Sequence, residues 1–278
     1  MGGTMPRAPY VSAEGPVFPA ILREWRLHRR VSQLALALDT GVSQRHLSFL
    51  ESGRARPSRA MVLQLTDALE VPLRDRNAWL LAAGFAPAFG TRPIDAPDMA
   101  PVRAAVRLML DNHEPFPALA IDRAWNVGET NAAFERLAGM LGDDVWTRVG
   151  GPPRNLMRLF FHPAGVRPHV ENWAAVAPLL WQRARREAAA LGGRDMQAVL
   201  DALRPHQDEE TLRASGDVAL VPVLPLTLAL GAARLSLFTV IATFGTAQDV
   251  TADELRLECL FPADAATDRA LRIAAGAA

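Results

Sequence analysis

No lysine occurs in the sequence: all 30 basic residues are arginine, set against 30 Asp and Glu, and the formal net charge is zero. An arginine at any single position therefore says nothing about a need for its fork, and only the distribution of charge is informative. Cysteine is nearly absent as well. Cys259 alone excludes a disulfide framework and any Cys-rich zinc or iron–sulfur site, and it fits a reducing cytosol. No secretion signal is expected, because prolines and charges break Met1–Ser12 before an apolar run forms. A membrane span is not expected either. Val218–Ala233 carries no charge, but Pro222, Pro225 and Gly231 interrupt it, whereas a spanning helix needs about 20 apolar residues with an intact backbone ladder. Paired short strands suit that segment better. The expectation is a soluble, cytoplasmic protein.

Signatures of catalysis are missing too. There is no G-x-S-x-G, no Walker A sequence and no G-x-G-x-x-G after a strand. The histidines, at 28, 46, 113, 162, 169 and 206, form no H-x-x-x-H and no helical Glu-x-x-His pair. Asp208–Glu210 reads as a solvated helix start rather than a carboxylate pair for acid–base work. Neither catalytic residues nor metal ligands are expected.

The chain does have core-forming power. Its 278 residues are 50% hydrophobic and 22% charged, enough for two domains at about 150 residues each. Charge divides between them: residues 1–90 hold 11 Arg against 7 acids, and residues 91–278 hold 19 against 23. A basic head on an acidic body implies a polyanionic partner for the head alone. Breakers then set the boundaries. Residues 1–16, rich in Gly and Pro, read as a flexible arm. Residues 17–85 read as an all-α domain, 86–98 as a linker containing Pro87, Gly90, Pro93 and Pro97, and 99–278 as the body. In the body, Leu119–Val127 reads as a hairpin. Glu129–Met140, Asn155–Phe161, Val166–Leu191 and Asp195–Leu203 read as helices. Val218–Leu224, Leu226–Leu230, Leu235–Phe244 and Leu255–Phe261 read as strands. The expected class is α+β, with a mostly antiparallel sheet and helices gathered to one side.

Chemistry concentrates in Ser32–Gly53. Ser32 is placed to cap a short helix bearing Leu34, Ala35, Leu36 and Leu38, and Gly41 supplies a turn needing positive φ. Ser43 then caps a second helix whose inward face is Leu47 and Leu50, and Gly53 can close it. Helix, glycine turn and serine-capped helix make a helix-turn-helix plan. Its second helix would present Gln44, Arg45, His46, Ser48 and Phe49 outward. Arg matches guanine in the major groove, Gln matches adenine, and Phe can touch a thymine methyl. Gln33 can reach a phosphate, while Arg54, Arg56 and Arg59 suit the sugar–phosphate backbone.

These residues also carry a resemblance. R-x-x-R-x-V-S-Q-x-x-L-A, G-V-S-Q-R-H-L-S-F-L-E-S-G-R-A-R-P-S-R and L-E-V-P-L-R-D-R-N-x-W-L-L-A-A-G-F-A-P resemble the xenobiotic-response-element family of helix-turn-helix transcription regulators. P-F-P-A-L-A-I-D-R-A-W-N-V, N-L-M-R-L, R-P-x-x-E-N-W, T-F-G-T-A-Q-D-V-T-A-D-E-L-R-L-E and F-P-A-D resemble the MmyB-like ligand-binding domain, which is PAS-like. The likeness runs from about Phe18 to the C-terminal region. It implies that Gln33, Ser43, Gln44, Arg45, His46 and Phe49 contact operator DNA. It also implies a homodimer whose body binds a small apolar ligand, with a fatty acid or similar lipid-like molecule the best match.

A cavity between sheet and helices would be lined by Phe116, Leu119, Trp125, Phe134, Phe160, Trp173, Leu226, Leu228, Phe238 and Phe244. Asn131, Asn155, Arg158, His162, Asn172 and Arg183 are the polar groups suited to a carboxylate or carbonyl. Asn131 and Asn172 suit capping or turn roles equally well. Two alternatives stay open for the body: dimerisation or protein-partner binding alone, or haem sensing through His162 or Cys259.

Overall fold

The computed structural model describes residues 17–190, 194–213 and 223–276. It divides into two compact units, one formed by the chain up to Arg92 together with Thr246–Asp253, the other by Pro93–Gly245 and the chain from Glu254. The expected arm at 1–16 and most of the expected strand at 218–224 lie outside the described residues.

The first unit is helical: α1 (Phe18–His28), α2 (Gln33–Asp39), α3 (Gln44–Glu51), α4 (Arg59–Ala68) and α5 (Leu73–Ala82). Local chemistry explains the punctuation. Ser32, Ser43 and Ser58 accept the N–H groups of Ala35, His46 and Met61, capping α2, α3 and α4, each cap contributing about 1 kcal/mol. Gly41 turns the chain at φ +63° and Gly53 leaves α3 at φ +73°. The helices bury one face each, and Leu22, Leu36, Leu47, Leu50, Val62, Leu65 and Leu80 form the core with Trp79. Phe18 meets Trp79 edge-on at 5.8 Å. The breaker-rich stretch after α5 is tied down. Asn77 Oδ1 accepts from the Ala88 and Phe89 N–H groups, and its Nδ2 donates to Phe89 O.

The second unit opens with α6 (Ala100–Asn112), then β1 (Ala118–Ile121) and β2 (Val127–Thr130). Next come α7 (Ala132–Gly139), α8 (Val145–Arg148), α9 (Leu156–Phe161), α10 (Trp173–Ala190), α11 (Arg194–Leu203) and α12 (Glu209–Arg213). Strands β3 (Leu226–Leu230) and β4 (Ala233–Thr243) follow, then β5 (Arg256–Pro262) and α14 (Ala265–Ala274), while α13 (Val250–Glu254), between β4 and β5, belongs up to Asp253 to the first unit. Among the described residues the strands form one antiparallel sheet, in the order β2-β1-β5-β4-β3. The α+β class expected from the sequence is what the chain adopts.

Strand alternation separates the sheet's two faces. Leu119, Ile121, Leu228, Leu230, Leu235 and Leu237 share a core with Phe134, Phe160, Phe161, Trp181 and Leu200 of the later helices. On the opposite face Ala118, Ala120 and Leu257 meet Val106 and Leu110 of α6. Helices thus cover both faces, where the sequence reading gathered them to one side. That reading missed α6 because Pro101 looks like a breaker. A proline in the first helical turn removes no hydrogen bond, so α6 tolerates it. Two further boundaries differ. The expected helix from Glu129 starts at Ala132, because Glu129 and Thr130 finish β2 and Asn131 caps α7. The expected helix from Val166 starts at Trp173, after a 3-10 turn over Arg167–His169.

Candidate nucleic-acid interface and ligand-binding body

Helix α3 is held from inside by Leu47 and Leu50, both fully buried, and this turns its other face to solvent. Ser43, Gln44 and Arg45 are exposed there, while His46, Ser48 and Phe49 are half-buried. The Phe49 ring lies beneath two guanidiniums, those of Arg45 at 5.4 Å and Arg54 at 6.0 Å. Such contacts orient a cation without neutralising it. Arg56 and Arg59 are exposed beyond the helix. Arg45, Phe49 and Arg54 are therefore brought together at the exposed face of α3.

Gln33 is placed differently from the rest. Its Nε2 donates to Glu51 Oε2 at 2.8 Å, and Glu51 also takes Arg26 Nε on Oε1 and Arg26 NH2 on Oε2. Burial pushes the Glu51 carboxyl up, but the bonds from Arg26 and Gln33 and the Arg26 charge outweigh it, leaving its pKa below the ordinary value. The bond that Arg26 donates to Glu51 likewise holds the guanidinium firmly protonated. Sequence reading missed Arg26. Its only signal was position, four residues after Leu22 on the inward face of α1.

In the body the sixteen candidate ligand residues do not converge. Asn131 is spent on the backbone: Oδ1 accepts from Ala118 and Phe134 N–H, and Nδ2 donates to Phe116 O and Leu110 O. Asn155 accepts from the Arg158 N–H and donates to Ala124 O and Asn126 Oδ1. Asn172 bridges Pro225 O and the Thr227 N–H. Arg158 reaches Gly150 O. The aromatic candidates lie on both faces of the sheet. Phe134, Phe160 and Trp173 join the larger core with Leu119, Leu226 and Leu228, and Phe160 stacks on Trp173 at 5.3 Å. Phe244 packs on the α6 side, and Phe238 stacks on Phe261 at 5.6 Å. Phe116 meets His113 and Phe261 edge to face or tilted.

Trp125 occupies a charged nest. Its backbone is left-handed at φ +65°, in a turn where Asp122 Oδ1 accepts from the Ala124 and Asn126 N–H groups. Guanidiniums of Arg183 and Arg256 lie 4.6 Å and 5.1 Å from its ring, and its Nε1 donates to Glu187 Oε2. Glu187 also takes Arg183 Nε and Arg256 NH1, while Glu258 takes Arg183 NH2. Burial raises both carboxyls. For Glu187 the bonds and charges of Arg256 and Arg183 win, and its pKa falls. For the more deeply buried Glu258 burial wins, and its pKa rises.

His162 and His206, 44 positions apart in sequence, face each other with ring centroids 5.0 Å apart. His162 Nδ1 accepts from the Ala164 N–H, and burial plus the neighbouring His206 lower its pKa. Among the described residues no group of three or more His, Cys, Asp or Glu is placed to hold a metal ion. No helix among them is long and apolar enough to cross a membrane.

Comparison with known proteins assigns both units. A family model described as the MmyB-like transcription regulator ligand binding domain matches residues 102–274. The chain belongs to this family. A helix-turn-helix family model matches residues 22–75 of the same MmyB-like chain, from within α1 to the start of α5. The first description names a transcription regulator's ligand-binding domain and the second a helix-turn-helix, and neither is an enzyme family. No curated protein matches the chain. A solved structure titled as an RNA-binding light-oxygen-voltage receptor is similar at 14% identity, over 91% of this chain and 60% of that one. Its TM-score is 0.26.

Proposed function

We propose that the chain is a cytoplasmic, homodimeric one-component regulator that reads operator DNA through α3 and senses an apolar ligand in its body. The observation that carries this reading is the outer face of α3. It is a rigid, doubly anchored helix offering Gln44 and Arg45 to solvent, bordered by Arg54, Arg56 and Arg59. Gln and Arg at the head of such a helix suit base edges in a major groove, and the flanking arginines suit phosphates. His46 and Phe49 sit beside the base-reading positions. Two copies of α3 would meet half-sites about 34 Å apart. Gln33 takes a supporting part, fixing Glu51 while its helix end faces a phosphate.

For the body, the ligand proposed is a fatty acid or similar amphiphile among Phe134, Phe160 and Trp173, with Trp125 and Leu119 deeper. Arg167 lies 4.8 Å from the Trp173 ring, Asp208 accepts the Trp173 Nε1–H at 3.3 Å, and His162 follows α9, the helix that carries Phe160. Ligand binding regulates only if it favours one state of the DNA-binding unit over another.

The test is selection of duplexes from a random pool by the full chain, repeated with and without copurifying small molecules, the latter identified by native mass spectrometry. Enrichment of a two-fold-symmetric site supports the reading. Equal affinity for all duplexes at moderate salt overturns it. Ligand-free protein that ignores a fatty-acid panel removes the lipid part and favours a body devoted to dimerisation.

A further inference from the structure

Residues 246–253 connect β4 to β5, yet they belong to the first unit. They are bonded into it at several points. Asp249 is buried, its Oδ2 paired with Arg92 NH1 at 3.0 Å and its Oδ1 accepting from the Thr251 N–H at 2.9 Å. Val250, fully buried, donates its N–H to Gly90 O at 2.8 Å, and Thr251 Oγ1 donates to Arg92 O at 2.7 Å. Gly90 lies so close that a Cβ there would meet Asp249 Oδ2 at 2.9 Å. Asp253 Oδ2 accepts the Leu73 N–H at the head of α5, at 3.3 Å. That bond fills a gap in local sequence. The N-cap position of α5 is Pro72, which offers no side-chain acceptor.

The chain on either side of the segment belongs to the second unit, β4 before it and β5 after it. Glu254 pairs with Arg123 at 3.8 Å, and Arg256, two positions further, reaches Glu187 of α10 at 2.6 Å. The segment is thus bonded to the head of α5 and to residues 90–92, and the chain that leaves it is held by Arg123 and by Glu187 of α10.

We infer that Thr246–Asp253 is a coupling strap, through which a displacement of α10 or β5 is delivered to the head of α5 and to residues 86–92. The contacts stand by themselves. Their use as a regulatory link rests on the ligand-responsive reading given above. A ligand that repacks α10 would act on Arg256 through Glu187, and the strap would carry that change to the DNA-binding helices as a bias between two arrangements.

Hydrogen exchange of the full chain, without DNA or ligand, tests the strap directly. Asp249→Ala is expected to speed exchange about tenfold at the head of α5 and at residues 86–92, with α3 unchanged, because buried bonds are lost locally. Glu187→Gln, which alters the contacts of α10 with Arg256 of β5 and with Trp125, is expected to speed exchange at the same α5 amides. In the double variant that second effect should vanish. Thr251→Val, which removes a single bond, should produce a smaller increase in the same peptides and serves if Asp249→Ala does not fold. Loosening of α10 by Glu187→Gln with no change at α5, or an equal increment in the Asp249→Ala background, overturns the strap. Failure of the wild-type chain to prefer any duplex would remove the regulator reading and leave the exchange result standing.

Discussion

The guanidinium of Arg26 holds both carboxylate oxygens of Glu51, Nε at 2.5 Å from Oε1 and NH2 at 2.9 Å from Oε2. Both side chains are less than a tenth exposed. The pair ties the end of α3 to α1 and so fixes the angle at which α3 is presented. Glu51→Gln should cost about 3 kcal/mol, since it leaves a buried guanidinium without its counter-charge. Replacing both residues by leucine should cost far less. The pH dependence follows from the depressed Glu51 pKa. Its contribution is present above the ordinary glutamate value of about 4.3 and is lost as pH falls through the lower folded value. Denaturant titrations of the three proteins across pH 2–7 check this, and wild-type stability in Glu51→Gln at neutral pH would refute it.

Arg45 and Arg56 should separate by readout. Arg45→Ala is expected to cost about 1–3 kcal/mol on the selected duplex and little on random duplex, as for a base contact. Arg56→Ala should weaken both alike and flatten the salt slope by about one. Binding titrations at several salt concentrations distinguish the two. An equal loss on both duplexes for Arg45→Ala would reassign it to the backbone.

Asn131 should behave as a structural residue. Its side chain makes four hydrogen bonds to main-chain groups that lie in the interior, so Asn131→Ala is expected to cost about 3 kcal/mol of stability. Thermal unfolding measures that loss. A variant with unchanged stability and weakened uptake of a fatty-acid probe would return Asn131 to the ligand site.

His162 predicts acid sensitivity in a second pH range. Its folded pKa is lowered by burial and by His206, so the unfolded chain binds the proton more readily. Stability is therefore lost as pH falls below the ordinary histidine value of about 6.5. His206→Gln removes the like-charge neighbour and should flatten that loss. Unfolding curves at pH 7.5 and 5.5 give the comparison, and identical pH dependence in the variant would rule out the pairing.

Legibility in the sequence followed the range of the interactions. Ser32, Gly41, Ser43 and Gly53 each act within a few residues, so the two helices and their turn could be read in order. The strands β3, β4 and β5 were visible because their alternation is local and their bounds carry Gly or Pro. Proline at the start of α6 concealed a helix, and Glu129 was absorbed into the helix that Asn131 begins. Long-range partners left no local trace. Arg26 with Glu51, His162 with His206 and Trp125 with Glu187 become neighbours only through tertiary packing. Residue type alone marks the aromatic candidates, and strand parity puts Phe238 and Phe244 on the opposite side of the sheet from Phe160 and Trp173.

Leu73 and Asp253 are 180 positions apart and share one hydrogen bond. A polypeptide cut after Arg92 would keep α1 to α5 and still forfeit the carboxylate at the head of α5, the buried Val250 and the partner of the Gly90 carbonyl. Grafting this head onto a foreign sensor would transplant an incomplete object unless Thr246–Asp253 travelled with it. Modularity here follows the folded unit, and a contiguous stretch of sequence does not delimit it.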